Sequence, residues 1–81
     1  NEVVTVANLD ERVDELAAEL AAKSPLVLQL GRDAFYRALE MDSDPALEYL
    51  HSKLNEHTKI ADAAEGIAAF AEKRPPMWTG R

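Results

Sequence analysis

The stretch Asp62-Ala63-Ala64-Glu65-Gly66-Ile67-Ala68-Ala69-Phe70-Ala71-Glu72-Lys73-Arg74-Pro75-Pro76 decides how this chain is read. Asp62 followed three residues later by Glu65 has the spacing of a capping box, which predicts a helix start. Ile67, Phe70 and Ala71 then fall on one face of that helix. The helix is expected to run to about Lys73, because Pro75-Pro76 cannot continue the backbone ladder. Phe70 and Lys73 stand three apart, so an aromatic ring and an ammonium share a face. Such a pair reads either as a core residue beside a solvated cation or as the wall of a pocket. Met77 through Arg81 is expected to be irregular.

Upstream, the same helical grammar repeats. Asp44-Pro45 starts a helix to about His57, lined by Leu47, Leu50, His51 and Leu54. Ser24-Pro25 opens another, because serine accepts from free amides and proline at the first helical position loses no hydrogen bond. Leu26, Val27, Leu30, Ala34, Ala38 and Leu39 form its stripe, with Phe35 beside it. Gly31 inside this helix costs about 1 kcal/mol relative to alanine, for which a close helix crossing is the expected compensation. A first helix runs from Asn8 or Asp10 to Lys23, with Val13, Leu16, Ala17, Leu20 and Ala21 on one face and Asn8/Glu11 as a second capping box. Ahead of it, Val3, Val4, Thr5 and Val6 read as a short remnant strand, which has no partner here and would not persist alone. The fold class is therefore all-α, with about four short helices.

Charge and composition exclude several functions. The formal net charge is −6, with most of the excess in the first 23 residues, which disfavours general nucleic-acid binding. Lys73, Arg74 and Arg81 oppose only Glu72 at the C-terminal end, so an acidic adaptor binding nucleic acid through a basic tail is the weakest reading retained. There is no cysteine, hence no disulfide or thiolate metal site. No apolar run reaches the roughly 20 residues that span a bilayer, and no signal peptide opens the chain. His51 and His57 are six apart and lie on different helix faces, so they do not form a zinc pair. Asp14 and Glu15 are adjacent and diverge on the helix, and Glu40/Asp42 end a helix and are expected to face water, so neither pair offers a general acid–base couple. Ser24 and Ser43 stand where capping explains them, and no glycine-rich phosphate loop is present.

The 62–80 string resembles the C-terminal signature of the crotonase (enoyl-CoA hydratase/isomerase) superfamily. Asp62, Glu65, Gly66, Ile67, Ala69, Phe70, Glu72, Lys73, Arg74, Pro76, Trp78 and Gly80 follow that signature in order. Val3-Val4, the Leu16–Leu20 helix and Ser24-Pro25-Leu26 follow its upstream pattern, so the resemblance covers essentially the whole chain. Arg32 stands where lysine is usual, and Ile60 where serine or threonine is.

The resemblance implies that residues 1–81 are the C-terminal helical oligomerisation and CoA-lid segment of a larger subunit. The ββα-repeat catalytic domain, with its two oxyanion-holding amides and its glutamates, is expected upstream. The implied substrate is an acyl-CoA thioester, with coenzyme A as part of the substrate and no separate cofactor. No residue of this chain is expected to be catalytic; Phe70 and Lys73 are the implied CoA-binding residues. Self-association as a trimer or hexamer is implied, with no nucleic-acid or membrane partner, in the cytoplasm unless the protein is mitochondrial. The alternative is a free-standing helical protein–protein interaction module without catalytic activity.

Overall fold

Proline and serine punctuation sets the element order. The computed structural model describes residues 1–81 as a 3-10 turn, Val6–Asn8, followed by four α-helices: α1 (Leu9–Ala21), α2 (Pro25–Ala38), α3 (Ser43–His57) and α4 (Ala61–Glu72). Residues 1–5 have no regular structure, so the expected remnant strand is not formed. A strand needs a partner for its backbone groups, and none is present; Val3 and Val6 are almost fully exposed.

Local chemistry accounts for most helix ends. Ser24 caps α2, its Oγ accepting from the Val27 amide at 3.3 Å, with Pro25 in the first turn. Neither expected capping box forms. Asn8 precedes α1 without a side-chain cap, and Ile60 rather than an acidic residue occupies the N-cap of α4. Asp62 and Glu65 therefore sit inside the first turns of α4, and both are engaged elsewhere. The far end of α4 closes as a Schellman motif. Lys73 adopts φ 55°, its amide donates to the Phe70 carbonyl, and the Arg74 amide donates to that of Ala69 at 3.0 Å. The helix thus stops at Glu72, and helical spacing no longer fixes where the Lys73 side chain points.

Packing within the chain is sparse. α2 lies against α3, and the start of α2 meets the start of α4. Only Ala34 and Ala69 are fully buried apolar residues. The crossing expected at Gly31 is absent, since a Cβ there would meet nothing within 4 Å. The radius of gyration is 16.1 Å, against about 12 Å for a compact domain of this length. The accessible surface is 6866 Å², whereas a folded 9.0 kDa domain exposes about 4,900 Å². Roughly 2,000 Å² of surface that a self-contained domain would bury is thus left open.

Candidate functional site

The irregular C-terminal residues do not trail into solvent. Pro75–Arg81 forms a strap that turns back over the start of α4, and two carboxylates hold it. Asp62, fully buried, accepts from the Thr79 amide at 2.7 Å, the Thr79 hydroxyl at 3.0 Å and the Gly80 amide at 3.2 Å. It also accepts the Ser24 hydroxyl proton, so one carboxylate joins α2, α4 and the strap. The Asp62 amide in turn donates to the Arg81 carbonyl at 2.8 Å, satisfying a free N–H of the α4 N-terminus. Donation by Ser24 and then by Thr79 holds the Asp62 carboxyl below its usual range.

Glu65 makes the second anchor. Arg74 reaches it with two N–H groups at 2.6 and 3.1 Å, and the Met77 amide donates at 2.8 Å. These donors, Arg74 foremost, lower the Glu65 pKa to about 2. Arg74 also bridges Glu72 at 2.6 Å, and the carboxylates of Glu65 first and Glu72 second raise its own affinity for the proton. The basic excess read at the C-terminus is therefore partly neutralised internally: Arg74 is committed to two carboxylates.

Between these anchors the strap places Trp78. Its Nε1 donates to the Ala22 carbonyl, just beyond α1, at 2.8 Å. Its ring lies over Gly66, where a Cβ would sit 3.4 Å from the indole, so only a small residue leaves room. Four residues on, one turn along the same face, Phe70 is 88% exposed. Gly66, Phe70 and Trp78 line one apolar cleft of about 620 Å³, with Val27 and Gly31 of α2, Leu54 of α3 and Ile67 of α4. Lys23 and His57 supply its basic side chains.

Phe70 is thus a cleft residue rather than a core residue. Lys73 does not line the cleft and makes no ion pair; Lys23 is the lysine brought there, which the spacing argument missed because it lies on the far side of a helix junction. The histidines meet the expectation of separate faces: His57 reaches the cleft and His51 does not. No three His, Asp or Glu side chains converge into a metal-binding group. No helix is long and apolar enough to cross a membrane. Ser24 and Asp62 also line the cleft, hydrogen-bonded to each other, and the Asp62 carboxylate is already occupied by Thr79 and Gly80, so this pair reads as a structural tie. The apolar walls of the cleft fit binding rather than bond-making.

Comparison with known proteins fits this arrangement. Carnitinyl-CoA dehydratase from Escherichia coli K12 is 36% identical over 85 residues, spanning all of this chain and 33% of the relative. The enoyl-CoA hydratase structure from Bacillus anthracis superposes with a TM-score of 0.85 at 30% identity, over 98% of this chain and 31% of that one. That from Mycobacterium smegmatis gives 0.87 at 31% identity, over 96% and 30%. The chain spans about a third of the length of the curated relatives it matches. The enoyl-CoA hydratase/isomerase family description covers residues 1–81 without a gap at either end, and this helical chain, with its strap and apolar cleft, belongs to that family.

Proposed function

We propose that residues 1–81 act as the helical cover and subunit-joining segment of an enzyme that transforms acyl-CoA thioesters. In this reading the thioester oxygen is held elsewhere in the subunit by backbone amides, and the carbanion formed next to the carbonyl is stabilised as an enolate. Addition or removal of water across the adjacent double bond fits that intermediate, and the name of the carnitinyl-CoA dehydratase relatives points the same way. The acid and base belong outside these residues. Phe70 contacts the apolar arm of the CoA ester, and Lys73 approaches its phosphate-bearing end. The apolar faces of the helices join subunits into a trimer or hexamer. A cytoplasmic setting goes with this reading, supported by the bacterial source of the relatives.

One observation carries the proposal: Phe70, a large aromatic, stands almost wholly exposed at an apolar cleft with nothing in the chain to cover it. Sealing a phenylalanine from water is worth about 1.5–3 kcal/mol, which an occupant of the cleft would gain by covering it. In the intact protein, Phe70→Ala is expected to raise KM for an enoyl-CoA about tenfold with kcat within about twofold, the signature of lost uniform binding. An unchanged KM contradicts the proposal.

A further inference from the structure

We infer that Asp62 is a positioning residue: by holding the strap across α4 it seats Trp78 as a wall of the cleft, and so sets the acyl-chain length the cleft admits. The inference rests on the reading of that cleft as an acyl-thioester site. It adds a residue that acts on the ligand through Trp78.

The geometry supports it in three steps. First, the strap contains no helix or strand, so its course depends on the groups that hold it. Asp62 supplies the acceptors for Thr79 and Gly80, the two residues directly after Trp78. Second, the carboxylate is itself fixed from below by Ser24 at the start of α2, so the strap is tied to the helix that forms another cleft wall. A fully buried carboxylate with this many donors is rigid, because each oxygen is already committed. Third, Trp78 has two further restraints of its own, the Ala22 carbonyl and the missing side chain at Gly66. With the strap in place, the indole covers the α4 face one turn before Phe70. With the strap loose, that turn is open and the cleft is longer.

Two substitutions reach the same wall by different routes. Asp62→Asn keeps the shape but replaces one acceptor oxygen with an N–H group, weakening the hold on Ser24 and Gly80. Gly66→Val leaves Asp62 alone and pushes its methyl groups into the indole. Gly66→Ala is the graded variant, since its Cβ at 3.4 Å makes an ordinary contact and displaces the indole less than valine does.

The experiment measures KM and kcat on the intact protein with short-chain and long-chain enoyl-CoA esters, alongside amide hydrogen exchange of the strap. For Asp62→Asn the expected result is about tenfold faster exchange at Thr79 and Gly80, with the middle of α4 still protected. For Asp62→Asn and Gly66→Val alike, KM for the short ester should rise about fivefold, KM for the long ester should hardly move, and kcat should stay within about twofold. Gly66→Ala should shift the profile less than Gly66→Val. The inference is overturned if neither variant alters the chain-length profile, or if α4 loses protection together with the strap. Should Asp62→Asn not fold, Gly66→Val alone decides. Phe70→Ala separates the two levels: if it raises KM while the strap variants do not, only the positioning role falls; if all are silent, the acyl-thioester reading falls with it.

Discussion

Lys73 carries two demands that conflict. Its backbone sits at φ 55°, where a side chain costs about 1–2 kcal/mol and glycine nothing. The Schellman closure of α4 needs that conformation, since the Arg74 amide must reach the Ala69 carbonyl. The proposed contact of its side chain with CoA would account for a lysine at this position. Lys73→Gly is therefore expected to stabilise the protein by about 0.5–1 kcal/mol, after the greater chain entropy of glycine is subtracted. The same change should weaken CoA binding several-fold, as thermal melts and a titration with CoA would show. A destabilised variant, or one that binds CoA unchanged, contradicts this account of the residue.

The element most exposed to pH is the strap, because two carboxylates hold it. Asp62 and Glu65 both have folded-state pKa values below their ordinary ones, Glu65 at about 2. An unfolded chain then binds more protons than the folded one as acid is added, so stability rises with pH in this window. The contribution is complete above the ordinary carboxylate range, near 4.5, and is lost as pH falls toward about 2. Arg74 stays charged throughout. The emission of Trp78, the only tryptophan in the chain, reads the strap directly. A red shift on acidification below about pH 4 is expected, and Glu65→Gln should move it to higher pH or leave the strap loose at neutrality. Emission constant from pH 7 to pH 2 contradicts the assignment of these anchors.

The same element marks where sequence reasoning stopped. Helix α2 was legible because Ser24 and Pro25 act on their immediate neighbours; α3 ended at His57 as expected, and α4 stopped at Glu72, one residue short of Lys73 and ahead of Pro75-Pro76. The strap was not legible. Asp62 pairs with Thr79 and Gly80, 17 and 18 residues away, and with Ser24, 38 residues back. An Asp-x-x-Glu spacing is shared by a capping box and by two tertiary anchors, and only the position of Ile60 at the N-cap separates them. From its type and place on the apolar face Phe70 read equally as a core residue, and only the family resemblance pointed to a binding role. Its partner Trp78 was not legible, because nothing local requires an indole over Gly66.

At the scale of the whole molecule, the dominant fact is the surplus of surface. About 2,000 Å² beyond that of a compact domain exceeds the roughly 800 Å² that each partner commits to a standard interface. Much of it is apolar and lies on helix faces: Val13, Leu16 and Leu20 on α1, Leu47, Leu50 and Leu54 on α3. Contiguous exposure of this kind marks a surface made to be covered. The helices were read from periodicity correctly, but periodicity reports only that a face is apolar, not what it meets; here these faces stay exposed within the chain's own fold. The central claim, that these faces join subunits of an acyl-CoA enzyme, is tested most directly by sedimentation equilibrium of the intact protein with and without Leu16→Asp and Leu20→Asp. The account expects a trimer or hexamer that the double substitution breaks into monomers; a wild-type monomer, or an assembly indifferent to both charges, would contradict it.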